Sequence, residues 1–600
     1  MKHENEHVAD VREEAVDAAE QAPQVQDDEN ALAGVSRRGF LGGLGVAAGA
    51  ATAIGANVAP GAVDSAEAAE VLDPFSPQRR RWKSFRLRFE AASNEFRRRV
   101  DDIVCNGDED LYPNRIGNFH KGLPHDETTG EVDPAAYDAM TNAIESGKFE
   151  DFDLIPGTRA LRLLNPLGGL GYNSIGPDNR VATVPAPPPL ASGTLNAQMA
   201  ELYWMALTRD IPFVTWGTDP TIAAACRDLS ARPDYVGPRN ADTGQVTPQE
   251  LFRIDSPGVL DGPIVSNFLY RGFIYDAIFV QEPKILRPLP GQDFMTDWAS
   301  WLEIQNGAPN GNPGFSGTFD PENRFPYAGR DLGHIAGQDA IYSAFFRASL
   351  ILRVLGFGGR GLFANYPYKD NPVHIGFATM GFADLVERIA SAAQSERPTW
   401  YYKWNVHRFL RPESYGGLVQ RVMTDGADYP IDTAMLNGSE DLLDRIFAYN
   451  EARNAELDNG SPGTYLLPQM FRQGSPVHPS YPAGHGISAG ACITILKAWY
   501  DPATPFPTPR KPTEDGLSLE PYVAGTDGPL LTVGGELNKL AHNLSHGRDI
   551  SGVHWRADSF EAILQGEQLA IDILREAKPN YPEPFEGWNL VKFDGTEMVI

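Results

Sequence analysis

The sequence predicts a mostly α-helical protein built on helix bundles, and two observations carry that prediction. From Asp331 onward seven segments place apolar residues at helical spacing, and few stretches anywhere alternate as half-buried strands do. A composition of 42% hydrophobic and 22% charged residues is that of an ordinary globular protein with a sizeable core. At 600 residues the chain is long for one core, so a few domains are expected.

Residues 1–35 are acidic and poor in aromatics and read as a disordered tail. Residues 36–68 contain Ser36-Arg37-Arg38-Gly39-Phe40-Leu41, a Gly/Ala-rich apolar stretch to about Val63, and Ala66-Glu67-Ala68. Paired arginines before a mildly apolar segment and an A-x-A site make a twin-arginine export signal, which places the mature protein outside the cell or at its surface. The stretch holds Pro60 and is too weakly hydrophobic for a membrane span.

Residues 69–330 are expected to form an N-terminal helical and cap region, and 331–600 a C-terminal helical bundle. In the first region Arg79–Asp102 mixes basic and apolar residues at helical spacing, its charges forming a solvated face. Residues 106–330 are rich in Gly, Pro and Asn, with periodic runs only at Ala197–Thr208 and Gln249–Tyr275. In the second region helices are expected at Asp339–Leu355, His374–Ala393, Trp400–Leu410, Asp441–Ala455, Gly486–Tyr500, Gly534–Leu544 and Val553–Glu576.

The chain has 51 basic and 79 acidic residues, a formal charge of -28, which argues against nucleic acid or an anionic membrane surface as partner. Lysine is scarce, and so acidic a surface suits high salt, where the Debye length shrinks to about 3 Å. Cys105, Cys226 and Cys492 are far apart with no CxxC spacing, so neither a disulfide framework nor a thiolate zinc site follows. Cys492 reads as core. Acidic loops offer oxygen ligands for calcium, but no EF-hand spacing supports such a site.

Three segments carry chemistry. In Trp400–Pro412, the residues Trp400, Lys403, His407 and Arg411 fall on one stripe of an α-helix, with Pro412 ending it so that Arg411 sits at its mouth. In His478–His485, Pro482-Ala483-Gly484-His485 is a tight turn into an apolar helix. There Gly484 lets a ligand approach the backbone, the first-turn amides attract anions, and His485 can transfer protons near neutral pH. In Arg548–Asp558, Gly547 and Ser551-Gly552 suggest a loop carrying Arg548, with a helix from near Val553. His554 and Asp558 are then one turn apart, and the carboxylate can orient the imidazole. Asp339, near His334, is a candidate second carboxylate for Arg548 or His485. Together the segments supply the cations, amides and imidazoles needed to hold a multiply charged tetrahedral oxyanion.

With these residues the chain resembles the vanadium-dependent haloperoxidases and the superfamily they share with type 2 phosphatidic acid phosphatases. The shared pattern reads Lys403, Arg411-Pro412, Pro482-Ala483-Gly484-His485, Arg548, His554 and Asp558. WxxKWxxHRxxRP, HPSYPxGH and RDxxGVHWRxD point to the bromoperoxidase-like branch, and similarity runs over roughly residues 75–595. The resemblance implies an all-α fold with two four-helix bundles, dimeric or larger. It implies vanadate as cofactor, with His554 the axial ligand to the metal, and with Lys403, Arg411, Arg548 and the Gly484 amide on its oxygens. His485 becomes the acid/base residue, and Trp400 and His478 flank the halide and peroxide pocket. Hydrogen peroxide, halide and small organic acceptors are the expected partners, with bromide the first halide.

Ala483 departs from the family's serine, whose hydroxyl donates to vanadate. Losing a hydrogen bond to a charged group costs about 1.5 to 3 kcal/mol. Two other readings stand beside this one: an acid phosphatase with His554 as nucleophile and His485 protonating the leaving group, and a secreted oxyanion-binding protein without catalysis.

Overall fold

The computed structural model describes residues 76–600 except 158, 276–278, 315–316, 358–362 and 364. The acidic tail and the export signal lie outside the described residues. By its internal contacts the chain divides between Arg86 and Leu87, and the unit from Leu87 to Ile600 carries the site. Among the described residues no helix is long and apolar enough to cross a membrane.

The architecture is helical, as the periodicity predicts. In chain order the helices used below are α1 (Pro77–Arg97), α2 (Pro134–Ser146), α3 (Gly193–Thr208), α4 (Pro220–Ala231), α5 (Trp298–Gln305), α6 (Gly329–Gln338), α7 (Ser343–Leu352), α8 (Phe382–Ala392), α9 (Glu396–Tyr401), α10 (Pro412–Asp425), α11 (Leu442–Glu456), α12 (Gly484–Trp499), α13 (Val533–Ile550) and α14 (Arg556–Ala577). Their starts follow capping chemistry. Asp133 and Asp219 accept first-turn amides ahead of Pro134 and Pro220, Ser192 accepts from Leu195 N, and Thr532 from Gly535 N. Among the described residues, sheet is confined to three antiparallel pairs of three-residue strands, Phe273–Tyr275 with Phe279–Gln281, Arg510–Pro512 with Leu519–Pro521, and Asn589–Val591 with Glu597–Val599.

The centre is α12, α13 and α14. All eighteen residues of α13 are buried, and in α12 all but His485, the pattern of helices enclosed on every side. α12 and α14 lie in close backbone contact because both carry glycine where they cross. A Cβ on Gly490 would fall 2.0 Å from Ile563 O, and one on Gly566 2.1 Å from Ile487 O. α6 packs on α13 and α8 on α12. Cys492, read as core, is buried; so is Cys226, and Cys105 is exposed. None of the residues of α1 is buried, consistent with its charged face.

Several helical expectations are corrected. Gln249–Tyr275 is mostly irregular, with a single 3₁₀ turn at Asn267–Tyr270 before strand Phe273–Tyr275; most of its apolar residues from Leu251 to Tyr270 are buried by Gly- and Pro-punctuated loop packing. His374–Ala393 shortens to α8, and Asp339–Leu355 to α7, extended by a π-turn at Arg353–Phe357. Arg548 is not on a loop: α13 runs to Ile550, and the next helix starts at Arg556, not near Val553.

Candidate oxyanion site

Trp400 to Arg411 is not one continuous α-helix. α9 gives way to a π-helix at Tyr402–His407, closed by Arg408 N donating to Lys403 O at 3.0 Å. Arg408 then takes a left-handed conformation (φ 40°), and Arg411 is extended, at the N-cap of α10 with Pro412 as its first helical residue. Pro412 thus begins a helix and does not end one. His407 leaves the expected stripe: it stacks on Tyr402 at 5.9 Å and meets Tyr481 edge-on at 5.2 Å.

The remaining residues converge. Lys403 Nζ donates to the Pro479 and Ser480 carbonyls at 3.0 and 2.7 Å, and lies 5.9 Å from the Trp400 ring centre. Trp400 and His478 rings are 5.0 Å apart. Arg411 donates from Nε to His478 O (2.9 Å), from one terminal nitrogen to Val553 O (2.8 Å) and His554 Nε2 (3.0 Å), and its other terminal nitrogen lies 3.3 Å from His478 Nε2, while His478 Nδ1 donates to Pro479 O (2.9 Å). Arg548, in the last turn of α13, lies over the Phe471 ring at 5.6 Å.

His554 Nδ1 donates to Asp558 Oδ2 at 2.9 Å, the pairing expected from the sequence, so Nε2 is the acceptor nitrogen, and it takes the Arg411 N–H. The same carboxylate oxygen accepts Trp555 N at 3.1 Å and the Ser480 hydroxyl. Ser480 was not singled out by sequence, although it lies inside the HPSYP run; its carbonyl holds Lys403 and its hydroxyl holds Asp558. At the head of α12 the first-turn amides of Gly484, His485 and Gly486 receive no side-chain cap from Ala483. Ala483 instead gives its own N–H to Asp558 O (2.9 Å) and its methyl to an apolar cluster with Ala182, Ile487, Ala562 and Leu569.

The His485 ring lies beside the Ala336 carbonyl of α6, and its Nε2 has no hydrogen-bond partner. Asp339 does not reach it: that carboxylate accepts from Ser343 Oγ (2.5 Å) and Ala344 N (3.3 Å), at the start of α7. His334 faces Phe319 instead. Neither joins the site.

The electrostatics follow from packing cations together out of water. Burial, then the neighbouring Arg411, pushes Lys403 well below the ordinary lysine range. Burial lowers Arg411 to about 9 and Arg548 to about 10. Burial and the charges of Arg548 and Lys403 take His485 down to about 3, and His478 and His554 are lowered by burial and by Arg411. Such a set fits a multiply charged oxyanion: three buried cations, one imidazole oriented with its acceptor nitrogen toward Arg411, uncapped amides, and unpaired nitrogens on Trp400, His485 and Arg548. Among the described residues no group of three or more His, Cys, Asp or Glu side chains is arranged to hold a metal ion.

No family model matches the chain. It is 36% identical over 527 residues to a vanadium-dependent bromoperoxidase of Ascophyllum nodosum, covering 85% of this chain and 91% of that one. It is 33% identical over 600 residues to a vanadium-dependent bromoperoxidase of Corallina officinalis, covering 87% and 99%. The homohexameric structure of the second vanadate-dependent bromoperoxidase from Ascophyllum nodosum superimposes with a TM-score of 0.82 at 35% identity, covering 90% of this chain and 93% of that one.

Proposed function

The chain belongs to the vanadium-dependent bromoperoxidase family, and on that premise we propose that it binds vanadate in this cage and uses hydrogen peroxide to oxidise halide, bromide first, to hypohalous acid that halogenates small organic acceptors. The observation that carries the reading is the buried His554 ring, whose Nε2 meets Arg411 and on which the buried charges of Lys403 and Arg548 also act.

Bound vanadate would supply Lewis-acid activation of peroxide without a change in metal oxidation state. His554 is the residue to ligate the metal, its tautomer fixed by Asp558. Lys403, Arg411, Arg548 and the Gly484 amide are the groups to neutralise the oxyanion, and Lys403 is also the cation to draw charge from the reacting oxygen. His485, neutral at working pH with Nε2 bare, accepts the proton that peroxide must lose and returns one to product. Trp400 and His478 pack against each other beside Lys403 and wall the halide pocket. Ala483 adds no side-chain donor.

The finer architecture belongs to the same proposal: two four-helix bundles, a cap region over 69–330 and a bundle over 331–600, assembled as a homo-oligomer. Its leader is read as a twin-arginine export signal, giving an extracellular or surface enzyme suited to high salt.

The test is bromination of a phenolic dye by purified protein at high salt with bromide and hydrogen peroxide, with and without vanadate, and with excess phosphate. Turnover that requires vanadate and is suppressed by phosphate is expected. Vanadate binding without turnover, or phosphomonoester hydrolysis alone, would reject the peroxidase reading.

A further inference from the structure

One carboxyl group beside the cage has no part in the reaction above. Glu396 opens α9, four residues before Trp400 and seven before Lys403. Its Oε1 accepts from Ser488 Oγ at 3.0 Å. Its Oε2 lies against the backbone of Gly484, for a Cβ built there would come within 2.9 Å of it. The carboxyl therefore sits on the first turn of α12, where the amides gather and where Ala483 provides no cap. The titratable groups that sense it are Lys403, from its own segment, and Cys492, from α12. Burial raises its pKa, opposed by the Ser488 hydrogen bond and by Lys403.

Resting on the vanadate reading, we propose that Glu396 is an acidic wall of the cage that makes oxyanion binding proton-coupled: the complex forms with Glu396 as the neutral acid, its O–H taking the donor part that Ala483 cannot. The physical reason is charge. An ionised Glu396 places a second anion against the same helix start as the bound oxyanion, and the two repel; a proton on the carboxyl removes the repulsion and creates a donor. By linkage, whatever the oxyanion adds to the proton affinity of Glu396 the proton adds to the oxyanion affinity.

The experiment is calorimetric titration of the full-length protein with orthovanadate from about pH 5.5 to about pH 8.5, in pairs of buffers with different ionisation heats. The wild-type protein is expected to take up a proton on binding and to lose affinity as pH rises. Glu396→Gln keeps the shape and a donor but cannot ionise. It should match wild type within about twofold at the acid end, bind at least about fivefold tighter at the alkaline end, and take up correspondingly fewer protons. Titration of vanadate itself and of His485 is common to both proteins and cancels in the comparison. Ser488→Ala removes the hydrogen bond that favours the ionised carboxylate, so its affinity should persist to higher pH than in wild type. Identical pH profiles and proton counts in wild type and Glu396→Gln would overturn the inference, as would an unshifted Ser488→Ala profile if Glu396→Gln fails to fold. A wild-type protein that binds no vanadate at any pH would overturn the cage reading itself, and this inference with it.

Discussion

Two clusters of buried cations lie in the same fold and are arranged in opposite ways. At one, Arg209, Arg287 and Arg330 meet Asp210, Asp293 and Asp331. Arg330 holds Asp210 at 2.6 Å and Asp293 at 2.9 Å, Arg287 holds Asp331 at 2.6 Å, and Arg209 lies 3.6 Å from Asp293. Burial works to lower the pKa of Arg330, but Asp293 and Asp210 reverse it and drive it above the ordinary range. At the other, Lys403 and Arg411 are held by carbonyls and imidazoles, and both, with Arg548, are driven down. The first cluster is internally neutral and serves folding. The second carries unmatched positive charge and so serves an anion, at a cost in stability until one binds.

The largest test of this contrast removes one arginine from each cluster. Arg330→Ala leaves Asp293 buried with a weaker partner and should lower the unfolding free energy by about 3 to 5 kcal/mol. Arg411→Met should leave the vanadate-free protein within about 1 kcal/mol of wild type or stabilise it, because it relieves repulsion. Urea unfolding with and without vanadate separates them: saturating vanadate, at about 100 times its dissociation constant, should add about 2.7 kcal/mol to wild type and to no Arg411→Met sample. Equal destabilisation of both would erase the distinction.

Next in size is Asp558→Asn, which keeps a hydrogen-bonding group beside His554 Nδ1 but removes its charge. Vanadate affinity should drop about 10- to 100-fold, the usual effect of losing a ligand's orienting partner, with the fold intact by circular dichroism. Ala483→Ser should act in the other direction: a hydroxyl at the N-cap of α12 should stabilise the protein by about 1 kcal/mol and tighten vanadate binding by about tenfold. No gain in either would show that the apolar pocket of Ala182 and Ile487 turns the hydroxyl away from the helix start.

The smallest test compares two histidines whose pKa is lowered to about 3 for different reasons. His407 is lowered by burial and Arg408, His485 by burial and the cage cations Arg548 and Lys403. In the unfolded chain both take a proton near pH 6.5, while the folded state refuses it, so each makes stability fall as pH drops from about 6.5 toward about 3. NMR titration of the imidazole carbons should show vanadate raising the pKa of His485 by about one unit and leaving His407 unmoved. Parallel shifts would mean that the cage field is not what lowers His485.

The site was legible in sequence to the extent that its chemistry is local. His554 and Asp558 are four apart and bond as read, and Pro482 to His485 turns into a helix as read. The chain-wide similarity to bromoperoxidases agrees with the family that the three segments suggested. What escaped depends on partners distant in the chain. Glu396 faces Gly484 and Ser488, about ninety positions on, and periodicity says nothing of such a meeting. Ser480 looked like filler between two histidines because its partner, Asp558, arrives from another helix. His407 fitted an ideal α-helical stripe and was lost to the site once the turn widened. Irregular backbone at 249–275 misled for a related reason: its apolar residues are spaced for burial by loops, and spacing alone cannot tell that from a helix face.

That widened turn carries one more implication. A π-turn accommodates one residue more than the α-turn it replaces, so residues 402–407 hold one position more than an α-helical run would between α9 and the left-handed Arg408 that ends the helix. Residue identity is then only half of what the segment encodes; its length is the other half. Deleting a single residue between Tyr402 and His407 would rewind the turn and rotate everything on one side of it by about 100° relative to the other, parting Trp400 and Lys403 from Arg411 although every side chain that touches the oxyanion is still present.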